Sequence, residues 1–325
     1  MHARCLFNKS DVAMIVFKSL DEVNIKEKTA VAMGNFDGMH IGHQALVRMM
    51  VQGAARGGLK SAVFTFTNNP KKVLYKDSAI KSILSLDDKA GFIEAQGVDY
   101  LLSVTFDDNT RYLAPKEYIQ KFLLEGLNME AAYCGFDYRF GKCAEGDAAM
   151  LMAIGGTLGF NVLVLEPCTV DGKVVSSSLI REYISAGDME RCRAFLGRNY
   201  KTSGEVVAGN RLGRTIGFPT LNILIDEDML TPADGVYVTV CQIGDSRHCS
   251  ITNVGIRPTV GDGKKSIETH LFDVDGDLYG RRISVEFLKM IRKECRFDTL
   301  DALAFQIRRD CEIARGYHSA TFGRK

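Results

Sequence analysis

No stretch of this 325-residue chain reads as a membrane span. It has no run of 18 apolar residues, and a spanning helix needs about 20. The first twenty residues carry Arg4, Lys9, Asp11 and Lys18 where a secretory leader would need an unbroken apolar core. There is no charge excess either. With 41 basic and 40 acidic residues the formal net charge is +1, so bulk electrostatics argue for neither nucleic acid nor an anionic membrane, and any phosphate must be gripped locally. No helix-turn-helix, basic stripe, internal repeat or low-complexity segment occurs. Nine cysteines are scattered without a Cys-x-x-Cys pair, which excludes the usual zinc ribbons and thioredoxin-like chemistry. Their odd number fits reduced thiols in the cytoplasm. What remains is ordinary globular composition, 46% hydrophobic and 25% charged, over a length sufficient for two domains.

The most informative stretch is Val31–His43, Val-Ala-Met-Gly-Asn-Phe-Asp-Gly-Met-His-Ile-Gly-His. A short apolar run stops at a glycine-rich turn, and helical spacing follows at Ala45, Leu46, Met49 and Met50. His40 and His43 are three apart and share a helical face. A helix start offers unpaired N–H groups and partial positive charge, so two imidazoles there can hold a triphosphate and stabilise charge as a P–O bond breaks.

Strand-like and helical stretches alternate through the first half. Strands are expected at Ala30–Met33, Ser61–Phe66, Asp99–Phe106, Met129–Gly135 and Asn161–Glu166. Helices are expected at His40–Ala55, Leu86–Gln96, Pro115–Leu124 and Ala148–Leu158. This order predicts an α/β domain, a parallel sheet flanked by helices with ligands beyond the carboxyl ends of its strands. Two further loops fall at that edge. In Gly135–Gly141, Arg139 can clamp phosphate, and Asp137 can accept from a ribose or an amine. In Val175–Arg181, serine hydroxyls cap a helix starting near Leu179, and the same helix end, with Arg181 one turn in, can also take phosphate. Two short helices, Leu179–Ala186 and Met189–Leu196, lead to a domain boundary expected near Arg198, giving domains 1–198 and 199–325.

After Lys201 the pattern becomes short alternating strands: Gly204–Ala208, Thr220–Leu224, Gly235–Gln242, Cys249–Val254, Ile267–Phe272 and Arg282–Phe287. They predict a small antiparallel barrel, closed by an amphipathic helix over Leu300–Arg315. The stretch Gly209–Asn222 is glycine-rich but lacks the G-x-x-x-x-G-K-[ST] order of a Walker loop. Its Gly209 and Gly213 can let backbone wrap phosphate, and Arg214 can add charge. Thr220 and Asn222, two apart, offer hard oxygen ligands of the kind Mg²⁺ takes. Glu268 and His270 share a strand face, and a carboxylate beside Mg-ATP can take a proton from an attacking hydroxyl.

The Gly34–His43 string resembles the G-x-F-D-G-x-H-x-G-H signature of nucleotidylyltransferases. Gly135–Gly141 and Ser176–Arg181 are similar to the G-x-D-F-R-F-G and S-S-T-x-I-R signatures of bacterial riboflavin kinase/FAD synthetases. Gly209–Asn222, Gly235–Tyr237, Asn253–Thr259 and Glu268–Gly280 resemble that family's kinase half, in order. The resemblance implies an N-terminal FMN adenylyltransferase that makes FAD and a C-terminal riboflavin kinase that makes FMN, both from ATP with Mg²⁺. It implies His40 and His43 at the α-phosphorus, with Gly34, Phe36, Asp37, Ser177, Ser178, Arg181, Gly209, Gly213 and Arg214 around ATP. It further implies Asp137, Arg139, Gly255 and Arg257 near flavin, Thr220 and Asn222 on the metal, and Glu268 as base. One departure stands out: Phe66-Thr67-Asn68-Asn69-Pro70 replaces the family's Phe-Asp-Pro-His-Pro. It motivates an alternative, a riboflavin kinase with impaired adenylyl transfer; a non-catalytic flavin sensor is the third reading.

Overall fold

The computed structural model describes residues 13–75, 80–209, 212–256, 265–274 and 276–323. The chain forms two compact units, dividing between Val175 and Ser176.

The first unit carries a six-stranded sheet, all parallel: β1 (Ile15–Phe17), β2 (Thr29–Met33), β3 (Lys60–Phe66), β4 (Tyr100–Val104), β5 (Met129–Gly135) and β6 (Asn161–Leu165). Their spatial order is β1-β4-β3-β2-β5-β6. Successive side chains in a strand point to opposite faces, and β2 uses both. Val31 and Met33 join Phe64, Leu102, Ile119 and Phe122 on one side. Ala30 and Ala32 join Val47, Met50, Val63 and Leu101 on the other. A strand covered on both sides reads as a continuous apolar run, which is why β2 was legible. Helices α1 (Ile41–Gly57), α2 (Leu86–Glu94) and α3 (Ala148–Leu158) flank the sheet. The helix expected at Pro115–Leu124 is one α turn, Pro115–Tyr118, continuing as π-helix to Gly126. Edge strand β1 was not expected, because three residues carry too little period-2 pattern to register.

The second unit begins with α4 (Ser177–Ala186) and α5 (Met189–Leu196). It continues as a closed antiparallel barrel of β7 (Tyr200–Val207), β8 (Leu221–Leu224), β9 (Gly235–Ile243), β10 (Ser246–Ile256), β11 (Lys265–Leu271) and β12 (Arg282–Lys293). The order is β7-β8-β11-β10-β9-β12, with β12 pairing back onto β7. β7 starts four residues before the expected Gly204, since Tyr200 and Thr202 already alternate inward. Buried hydroxyls of Thr239, Ser250, Thr252 and Thr269 bond to one another at 2.7–2.9 Å, so these polar strand residues are satisfied without water. Helix α6 (Leu300–Phe322), capped by Thr299, runs past Arg315 and buries Cys311 and Ala314 against Val236, Val238 and Leu288.

Candidate active sites

Strand β2 is followed by Gly34, whose N–H donates to Phe64 O at 3.3 Å. The chain then turns through positive φ at Phe36 (50°), Gly38 (81°) and Met39 (40°). A non-glycine residue held there costs on the order of 1–3 kcal/mol and persists only where its surroundings over-determine it. Phe36 and Met39 are both fully buried. The turn delivers His40 as the cap of α1, its Nδ1 accepting the His43 N–H at 3.2 Å. An accepting Nδ1 leaves the ring proton on Nε2, which is therefore a donor. His43 stacks on His40 with centroids 3.5 Å apart and planes 14° apart, and Phe36 meets His43 edge-on at 5.2 Å. Desolvation, then the charges of His40 and Lys89, hold His43 well below the usual histidine range. His43 therefore stays neutral near pH 7 and works through an N–H group. The buried Nδ1 of His43 has no hydrogen-bond partner, an arrangement typical of functional positions.

The loops that follow β3 and β5 stand at the same carboxyl edge. Asp37 Oδ1 accepts the Ile83 N–H at 2.9 Å, and Phe36 has no exposed surface, so both build the turn, and only backbone there can reach a ligand. The departing Thr67-Asn68-Asn69 segment is well tied. Asn68 donates to Phe106 O at 2.9 Å and accepts its N–H at 2.8 Å, acting as a strand partner. The Thr67 and Thr105 hydroxyls lie 3.1 Å apart. Beyond the end of adjacent β5, Asp137 is exposed and Arg139 pairs with Asp147 at 3.4 Å. Ser176 caps α4 by accepting the Leu179 N–H at 3.3 Å. Ser177, Ser178 and Arg181 lie on the first turns of α4, which counts with the second unit.

In the barrel a cavity of about 510 Å³ is lined by Gly213, Phe218, Thr220, Asn253, Glu268 and His270 on one side and by Arg292, Cys295, Leu303 and Asp310 on another. That volume suits a small-molecule ligand. Glu268 is the register partner of Asn222 on β8 and of Asn253 on β10. Thr220 sits just before β8 rather than inside it. Asn222 is buried, and a Cβ on Gly209 would collide with its amide, so glycine is required where the loop crosses β8. Gly255, on β10, likewise packs against the Glu294 carboxylate. Arg257 lies outside the described residues, as does the side chain of Arg214. Sequence reasoning missed Asn253, Arg292 and Asp310 as lining residues. Arg292 bonds the almost wholly buried Asp310 at 2.8 Å, and no local pattern in the charged strand that carries it signals the pair.

Fold and sites together define a two-module protein of nucleotide chemistry: a parallel-sheet domain with an imidazole pair at a helix start, and a barrel with its own cavity. The FAD synthetase family model matches residues 22–179, and the riboflavin kinase model matches 196–318. The bifunctional riboflavin kinase/FMN adenylyltransferase of Bacillus subtilis (strain 168) is 35% identical over 90% of this chain and 93% of its own length. That of Escherichia coli (strain K12) is 35% identical over 91% and 95%. The chain belongs to the bifunctional riboflavin kinase/FMN adenylyltransferase family. A crystal structure described as a macrolide-efflux protein from Streptococcus pneumoniae is 29% identical, with TM-score 0.85 over 94% of this chain and 99% of its own. Among the described residues here, no helix is long and apolar enough to cross a membrane.

Proposed function

We infer that this chain phosphorylates riboflavin to FMN and adenylylates FMN to FAD, each from ATP. The observation that supports the two-site reading is a stacked imidazole pair at a helix start and, separately, Thr220 and Glu268 lining a barrel cavity, with Asn222 the ladder partner of Glu268. The active modules are residues 1–198 for adenylyl transfer and 199–325 for the kinase. In the kinase, Glu268 takes the proton of the riboflavin 5′-hydroxyl as its oxygen attacks the γ-phosphorus and ADP leaves. Gly209, Gly213 and Arg214 cradle phosphates, and Gly255 and Arg257 border the flavin. In the adenylyltransferase, an FMN phosphate oxygen attacks the α-phosphorus and pyrophosphate leaves. The attacking and departing groups are already anionic, so no base is needed. The protein's task there is positioning and charge stabilisation. His40 and His43 donate N–H bonds to the α-phosphate oxygens, backbone at Gly34, Phe36 and Asp37 meets the nucleotide, and Asp137 and Arg139 border the flavin. Ser177, Ser178 and Arg181, at the start of α4, are assigned to phosphate by their likeness to the family's S-S-T-x-I-R signature.

Mg²⁺ enters with ATP. Among the described residues no group of three or more His, Cys, Asp or Glu could hold a metal ion. A hydroxyl and an amide carbonyl, from Thr220 and Asn222, fit a cation that keeps its phosphates and waters as its main ligands. Bound there, it neutralises charge on the transferring phosphates. With a net charge of +1, neither nucleic acid nor membrane is assigned as a partner, and the unpaired cysteine pattern supports a cytoplasmic setting. A non-hydrolysable ATP analogue with Mg²⁺ should titrate two sites per chain in calorimetry, and a stoichiometry of one would refute two-site binding.

A further inference from the structure

Lys89 stands outside every motif above, yet it is buried, with 6% of its surface exposed. It lies on α2, and its Nζ donates to Asn35 O at 3.0 Å and Phe66 O at 3.1 Å. Asn35 belongs to the turn that carries His40 and His43, and its carbonyl also accepts the Thr65 hydroxyl at 3.2 Å. Phe66 ends β3 and opens the Thr67-Asn68-Asn69 loop. One ammonium thus joins the two loops that leave the central strands. The segment before α2 braces the same turn: Asp37 accepts the Ile83 N–H, and Gly38 leaves only about 3 Å between its Cβ position and Ile83.

A strut could be neutral. Burying an ammonium is costly and is kept only where the charge has a use or a partner. The charged groups facing Lys89 are Asp37 from the turn, which favours its charge, and His43 from α1, whose protonation it opposes. No ion pair with Lys89 occurs among the described residues, whereas a lysine carries three donors and two go to carbonyls. A positive charge set beside the neutral His43 imidazole has the sign needed for a triphosphate.

We propose that Lys89 is the positioning residue of the adenylyltransferase site: its ammonium pins the histidine turn to the end of β3 and supplies fixed positive charge to the polyphosphate. The proposal rests on the assignment of His40 and His43 to adenylyl transfer. Burial lowers Lys89 to about 8, so the group is charged below that pH and loses its charge above it, while His43 stays neutral down to pH values well below the usual histidine range.

The test compares full-length wild type with Lys89→Met, Lys89→Gln and His43→Ala, assaying FAD from supplied FMN and FMN from riboflavin in the same preparations. Expected is a fall of about a hundredfold in kcat for FAD formation in both Lys89 variants, with riboflavin kinase rates unchanged as the measure of folding. The wild-type FAD rate should fall as pH rises through about 8, and the Lys89 variants should lack that limb. Full activity in Lys89→Met, or recovery in Lys89→Gln, which keeps a donor without the charge, would overturn the proposal. So would an alkaline limb that survives in both. If His43→Ala still makes FAD normally, the site assignment fails and the proposal with it; if only the Lys89 variants are normal, the proposal alone falls.

Discussion

Replacing His43 with alanine should cut the conversion of FMN to FAD by about a hundred- to a thousandfold, the range for losing one donor to transition-state charge, while riboflavin phosphorylation continues at the wild-type rate. The asymmetry follows from where the residue sits. His43 stacks on His40 and touches Phe36 within the first unit, whereas the barrel cavity is lined wholly by residues from Gly213 onward. Because His43 is held neutral near pH 7, the loss is that of an N–H donor rather than of a cation, and raising salt should not mimic it. Single-turnover rates for each step, measured on one preparation, check this. Loss of both activities from a folded protein would contradict it.

The converse substitution, Glu268→Ala, should abolish FMN formation and spare FAD formation from supplied FMN. A general base contributes on the order of a hundred- to ten-thousandfold, and no second carboxylate occupies its position. Its strand neighbours across the ladder are Asn222 and Asn253, neither of which can accept a proton at neutral pH. Glu294, Asp298 and Asp310 line other parts of the cavity, and Asp310 is already paired with Arg292 at 2.8 Å. Glu268→Gln, equal in size, should be as inactive as alanine. A glutamine variant that still turned over near the wild-type rate would remove Glu268 from the proton transfer and leave it a packing role.

Much of this was legible in the chain because the signals are local. Residues Val31–His43 encode a buried strand, a strained turn and a helix cap within thirteen consecutive positions. The barrel strands announce themselves by alternation, as in Ile267, Thr269 and Leu271 buried against half-exposed Glu268 and His270. What was not legible is non-local. Lys89 looks like an ordinary helical lysine until Asn35 and Phe66, 54 and 23 residues away, are brought to it. Arg292 and the buried Asp310 become a pair only once α6 packs on the barrel. The Thr67-Asn68-Asn69 departure looked like a loss of side chains, yet Asn68 replaces them structurally by pairing in both directions with Phe106. α4 illustrates the limit differently: its serine cap was read correctly, but which unit it joins depends on packing that no local pattern encodes.

The central claim is that one polypeptide runs both steps in succession. Chromatography of the products from riboflavin, ATP and Mg²⁺ tests it most directly. FMN should rise first and then give way to FAD, with total product far exceeding the moles of protein. FMN that accumulates and never proceeds to FAD, or product that stops at one equivalent, would contradict the account.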